Sequence, residues 1–200
     1  MNNLVYTFEG KLYINLTNRC PCSCTFCIRA QMDGLGSADN LWLERDPTAG
    51  EILEALQAYP LDDYPEIVFC GYGEPFCALD NLLAVARHLK SVTTARIRIN
   101  TNGLGNLING KPTAPLLEGL IDVVSISLNA PNAHDYQAIV RSRYGETAFQ
   151  AMLDFAVSCK PYVPVVKFTV VDVIGREAVA DCQALSDRLG IPLRVRAFQS

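Results

Sequence analysis

The chain is 200 residues long, half of them hydrophobic and 19% charged, which suits a single domain with a buried core and excludes a disordered chain. Its formal charge is -4, and its 17 lysines and arginines form no basic run, so nucleic acid is not a favoured partner. No apolar stretch approaches the ~20 residues of a membrane span, and the first residues lack the basic start and apolar core of a signal peptide, so the expectation is a cytoplasmic protein with no membrane partner.

Val5 to Phe8 and Leu12 to Leu16 read as strands joined through Glu9-Gly10-Lys11, a hairpin whose second strand runs into a cluster of cysteines. Thr48 and Glu51 make a capping box ahead of Ile52, Leu53 and Leu56, which predicts a helix. Glu66 to Cys70 is a strand ending in Gly71-Tyr72-Gly73-Glu74-Pro75, and Leu82, Val85, Ala86 and Leu89 mark the helix after it. Arg96 to Thr101 and Val123 to Leu128 are strands closing on Asn102-Gly103 and Asn129-Ala130-Pro131, while Leu104 to Leu120 between them carries no clear period. Pro131 marks the start of a helix holding His134. Phe149, Met152, Leu153 and Ala156 predict another helix, Val165 to Val171 a strand, and Val179, Cys182 and Leu185 a helix ending at Gly190. Leu193 to Phe198 is the last strand.

Strands alternating with helices are the pattern of βα units with parallel strands. The predicted fold is therefore α/β, a partial (βα)6 barrel of the TIM type with a short N-terminal hairpin, one domain over residues 1–200. Functional loops belong at the C-terminal strand ends, and six units leave one side open.

Eight cysteines in a reducing compartment, where disulfides rarely persist, point to metal binding. Cys20, Cys22, Cys24 and Cys27 fall within eight residues. Cys20, Cys24 and Cys27 form a Cys-x3-Cys-x2-Cys set, and three thiolates on a four-iron cluster leave one iron open to a cofactor or substrate. Cys22 either shields the cluster or substitutes as a ligand. A structural zinc site would want a fourth ligand, often a second cysteine pair; Cys70, Cys77, Cys159 and Cys182 stand singly, and His88 and His134 lie in helix-like segments.

Asn18-Arg19-Cys20, the cysteine spacing and the aromatic Phe26 before the last cysteine together resemble the radical SAM signature. That resemblance implies a [4Fe-4S] cluster on Cys20, Cys24 and Cys27, S-adenosylmethionine (SAM) at the open iron, and a glycine-rich turn after the second strand. Gly71-Tyr72-Gly73-Glu74-Pro75 stands at that turn, with Tyr72 in place of a family glycine. Backbone carbonyls of Gly71, Tyr72 and Gly73 would cradle the SAM ammonium, with Glu74 adding a carboxylate or bracing the turn. Asn100-Thr101-Asn102-Gly103 and Ser125-Ile126-Ser127-Leu128-Asn129 resemble the family's third and fourth strand ends. By the same resemblance Asn100 and Asn129 would lie near the ribose, and Ser127 and Lys167 would meet the methionine carboxylate. Lys167, flanked by Val165, Val166 and Phe168, needs an anion if its strand is central. The asparagines could equally cap their own loops.

The implied chemistry takes an electron from a flavodoxin- or ferredoxin-like donor, cleaves SAM, and lets a 5'-deoxyadenosyl radical abstract hydrogen from an unidentified small-molecule or protein substrate. The competing class is a non-catalytic iron-sulfur electron carrier or scaffold using the same cysteines. Leu12 to Cys20 and Gly71 to Pro75 are most similar to the TatD-linked radical SAM proteins, a name that implies a functional link to a TatD-type nuclease.

Overall fold

The computed structural model describes residues 4–197, whose strands form one seven-stranded sheet in sequence order. β1 (Val5–Phe8) and β2 (Lys11–Ile14) are the expected antiparallel hairpin. Glu9 and Gly10 turn it with φ of 47° and 70°, the left-handed pair that a two-residue hairpin requires. From β2 onward every pairing is parallel, through β3 (Glu66–Phe69), β4 (Arg96–Thr101), β5 (Val123–Ser127), β6 (Val165–Val171) and β7 (Leu193–Arg196). Each strand lies beside its sequence neighbour, which is the order of a barrel wall and not of a doubly wound sheet. β1 and β7 are the two edges, as the six-unit reading expected. The last strand ends at Arg196, and the predicted terminal residue Phe198 lies outside the described residues.

The helices follow their local signals. α1 (Ala49–Leu56) begins on the Thr48 capping box, with Thr48 Oγ1 accepting from Glu51 N at 3.2 Å and Glu51 Oε2 accepting from Thr48 N at 2.8 Å. α2 (Leu79–Val92) buries Leu82, Val85, Ala86 and Leu89. The segment without a readable period holds only α3 (Gly105–Asn109) and a 3-10 turn over Ala114–Leu117, both too short to show one. The helix expected from Pro131 begins two residues later as α4 (Ala133–Val140), because Asn132 caps it by accepting from Asp135 N at 2.9 Å. α5 (Thr147–Cys159) and α6 (Arg176–Leu189) complete the set, α6 stopping at Gly190 with φ 61°.

Alternation along each strand splits the sheet into two faces. Leu12, Ile14, Ile67, Phe69, Ile97, Ile99, Ile126 and Phe168 are completely buried in the main core that the helices share. The other face carries Tyr13, Val68, Cys70, Arg98, Asn100, Ser125, Ser127, Lys167 and Thr169. Among the described residues no helix is long and apolar enough to cross a membrane.

Candidate active site

The cysteine loop leaves β2 through Asn15, Leu16 and Thr17 and is pinned from two sides. Thr17 Oγ1 and Arg19 Nε bond the two oxygens of Asp46 at 2.6 and 2.7 Å. The Asn18 amide clasps the backbone of Leu43, donating to its carbonyl at 2.7 Å and accepting from its N–H at 3.1 Å. On the opposite side Ser23 N and Thr25 N donate to the carbonyls of Val140 and Ile139 at 3.1 and 3.0 Å. The loop thereby satisfies carbonyls that the end of α4 would leave open.

The glycine turn after β3 presses against the same loop. A Cβ on Gly71 would collide with the Asn15 side chain, and one on Gly73 would collide with Thr17 O and lie 2.8 Å from Arg19 O. Neither glycine has a positive φ; what they supply is closeness, sealed by Glu74 N donating to Arg19 O at 2.8 Å. The Glu74 carboxylate is 3% exposed and fully engaged: Thr101 Oγ1 and Asn102 N donate to its two oxygens at 2.7 Å each, and Phe76 N at 3.2 Å. Of the two roles expected of Glu74, the geometry therefore gives bracing. Burial, with the Cys20 thiol close by, pushes its carboxyl up to about 8. Tyr72 is not in the cavity lining; its ring lies edge-on to Trp42 at 5.1 Å and its hydroxyl donates to Met32 O.

Between the loop and the inner face of the sheet lies a cavity of about 540 Å³. Cys20, Cys22, Cys24 and Cys27 all line it, with Asn100, Asn102, Ser127, Asn129 and Tyr136. Four buried polar atoms among the residues lining this cavity have no protein partner: Asn100 Oδ1, Asn129 Oδ1 and the Tyr136 hydroxyl near the cysteines, and Arg98 Nε deeper in. Asn129 is held there with φ 60°, a conformation asparagine tolerates better than most residues. Orphaned buried acceptors are costly unless a ligand meets them, and hydroxyls or an ammonium would suit. Asn102 Nδ2 points at the thiols, 3.6 Å from Cys22 Sγ and 3.9 Å from Cys20 Sγ. Cys22 is buried and shares a hydrogen bond with Cys20 that favours the thiolate at Cys20 and the thiol at Cys22. Burial, then the nearby Cys27 and Cys20, push the Cys24 thiol up to about 12.

Among the described residues no three His, Cys, Asp or Glu side chains gather around a single ion. The donor set is soft and its members are spread along one loop, which suits a cluster whose iron atoms each take a separate thiolate.

The expected site residues thus divide. Cys20, Cys24, Cys27, Asn100, Ser127 and Asn129 line one cavity, whereas Gly71, Gly73 and Glu74 hold its wall from behind. Lys167 is on the inner face but not in the cavity lining; the charges acting on it come from Arg98, Glu66, Arg194 and Lys11, and burial lowers its pKa first. The sequence reading did not single out Asn102, Tyr136, Arg98, Arg194 or Arg196, all of which line the cavity. The arginines were visible as charges alternating with Ile97, Ile99, Leu193 and Val195; Tyr136, one turn into α4, left no such trace.

The chain is 30% identical over 130 residues to the dual-specificity RNA methyltransferase RlmN of Halorhodospira halophila, a match covering 62% of this chain and 33% of that protein. It therefore spans about a third of the length of that curated relative. Among solved structures it is similar to a radical SAM methyltransferase from Sphaerobacter thermophilus, with TM-score 0.60, 18% identity, and coverage of 96% of this chain and 68% of that one. It is also similar to native anSMEcpe with bound AdoMet, with TM-score 0.63, 16% identity, and coverage of 94% and 51%. These two likenesses bear on the fold. Residues 14–176 match the sequence model of the radical SAM superfamily, and the chain belongs to that superfamily.

Proposed function

We propose that this chain is a radical SAM enzyme whose Cys20, Cys24 and Cys27 hold a [4Fe-4S] cluster at the mouth of the barrel cavity, with SAM and substrate in the cavity below. The observation that carries this reading is the meeting of the cysteine loop with three unpartnered buried polar atoms, Asn100 Oδ1, Asn129 Oδ1 and Tyr136 Oη, in one cavity wall. Cluster and cofactor, when bound, supply a 5'-deoxyadenosyl radical able to abstract hydrogen from a substrate carbon.

The chain's own residues do the positioning. Asn102 donates toward the Cys20 and Cys22 sulfurs, and Cys22, keeping its proton, adds a second hydrogen bond to Cys20. Hydrogen bonds to thiolates are among the levers by which proteins tune such clusters. Asn100 Oδ1 and Asn129 Oδ1 are free to accept from hydroxyl or ammonium groups, and Ser127, at the end of β5, lines the same cavity as a donor for a carboxylate. Glu74 keeps the turn and the end of β4 at fixed separation. Phe26, Ile28 and Leu35 put apolar surface on the loop side of the cavity, where it excludes water.

The electron donor belongs on the far side of Cys20. A recess there of about 590 Å³ is lined by Arg19, Arg29 and Arg143, charges suited to an acidic flavodoxin or ferredoxin. Membership of the TatD-linked subgroup rests on the Leu12 to Cys20 and Gly71 to Pro75 segments, and the link to a TatD-type nuclease rests on that membership.

The test is product release. Anaerobically reconstituted protein given dithionite and SAM should form 5'-deoxyadenosine. A reducible cluster with no such product would leave a non-catalytic electron carrier.

A further inference from the structure

The floor of the cavity holds charge that the cysteines, the asparagines and Tyr136 do not need. Arg98 projects from the middle of β4 onto the inner face and is 6% exposed. One of its terminal nitrogens pairs with Glu66 at 3.1 Å, but its Nε is buried with no hydrogen-bond partner. Arg194 and Arg196, on the open edge strand β7, line the same cavity, as does Lys11 from β2. Against these four cations and the adjacent Lys167 stand Glu66 and, at the rim, Glu9. A buried guanidinium with an unused donor, facing further cations across a cavity, is an anion site waiting for its oxygens.

We propose that the barrel floor, centred on Arg98 Nε and flanked by Arg194 and Arg196, binds an oxyanion group, carboxylate or phosphate, of a small-molecule substrate. The assignment to substrate rests on the radical SAM reading of the cavity above it; the anion binding does not.

The position argues against the cofactor as the source of the anion. Asn102, which reaches the cysteine sulfurs, lies four residues beyond Arg98 along the same strand, about 13 Å away at strand rise. The ion pair to Glu66, the first residue of β3, draws the Arg98 guanidinium toward the opposite end of the barrel from the cysteines. An amino-acid group held at the cluster's open iron would not reach it. The wall between is apolar or neutral, with Tyr13, Cys70 and Asn100, so a substrate anchored on Arg98 would run up toward the cysteine loop. β1 and β7 are the edges of the sheet, and Lys11 and Arg196 line the cavity beside them.

The test is calorimetric titration of the full chain with inorganic phosphate and with succinate, each against chloride of equal ionic strength. Wild type should bind one of the two, and which one separates a phosphate from a carboxylate substrate. Arg98→Met combined with Glu66→Gln, which removes both charges of the buried pair, should weaken that binding about tenfold or more, and so should Arg194→Gln with Arg196→Gln on the exposed edge. SAM affinity of the reconstituted protein should stay unchanged in the Arg98→Met, Glu66→Gln variant, whose buried pair lies at the far end of the barrel from the cysteines. No binding of either anion by wild type, or a parallel loss of SAM affinity in that variant, overturns the proposal. Anion binding with normal variant behaviour in a protein that never forms 5'-deoxyadenosine would keep the anion site and refute the radical SAM activity instead.

Discussion

Glu74 and Asn102 are joined by a 2.7 Å hydrogen bond from the Asn102 backbone N–H to Glu74 Oε2, and the same asparagine reaches the Cys20 and Cys22 sulfurs with its side chain. A carboxylate in the turn after β3 therefore sets the distance between the end of β4 and the cysteine loop, without facing the cavity itself.

Above about pH 8, where the carboxyl is ionised, Glu74→Gln should loosen that link, because an amide cannot accept at both ends and its NH2 would meet a donor. The expected loss is about 1–3 kcal/mol in urea unfolding, the range for a buried donor left unpaired. Thr101→Val, which removes one donor and leaves the backbone bond to Asn102, should lose less. Equal losses from the two substitutions would show that the Asn102 bond contributes nothing.

The three cysteines of the proposed cluster should be separable from the fourth. Cys20→Ala, Cys24→Ala and Cys27→Ala should each purify anaerobically without the iron content and visible absorption of the reconstituted wild type. Cys22→Ala should retain both, since Cys22 is buried as a thiol that donates to Cys20. Iron retained by Cys24→Ala and lost by Cys22→Ala would reverse the ligand set.

Two glycines should respond to alanine with opposite signs. In Gly73→Ala the new methyl meets Thr17 O and Arg19 O, backbone atoms that cannot move without shifting the cysteine loop, and overpacking of this kind costs about 1–3 kcal/mol. Gly50 lies within α1, where an added Cβ finds only Thr48 Oγ1 at 3.9 Å, and alanine there should stabilise by about 0.5–1 kcal/mol. Thermal melts of the two variants read the contrast directly.

The α1 capping box gives a pH dependence of known sign. Arg45, followed by the Thr48 N–H and hydroxyl, holds the Glu51 carboxyl down at about 2. A depressed carboxyl stabilises the fold above its unfolded value and loses that contribution as pH falls toward the folded one. The stability difference between wild type and Glu51→Gln should thus be present at pH 6 and shrink steadily below about pH 4.5. A difference that grows on acidification would contradict the pairing.

The sequence determined the element order, because period-two and period-3.6 patterns are local properties. It also determined the α1 cap through Thr48 and Glu51, the α6 stop at Gly190, and the cysteine loop through the spacing of Cys20, Cys24 and Cys27. It set the start of α4 two residues early, at Pro131, and left Leu104 to Leu120 unassigned, because a side-chain cap or a five-residue helix leaves too few positions to show a pattern. Only the tertiary structure decided which way the strand residues face and what they meet. Glu74 was expected to ligate or to brace and braces, because β4 brings two donors to it from 27 and 28 residues away. Lys167 was expected at the cofactor carboxylate and sits among arginines outside the cavity lining, because the parallel register sets it beside Ser125 and not Ser127. Arg98, Arg194 and Arg196 stood in the sequence only as charges alternating with apolar strand residues. Curving the sheet turned its inner face into a cavity wall, and the low dielectric there makes an unused guanidinium nitrogen a demand for an anion.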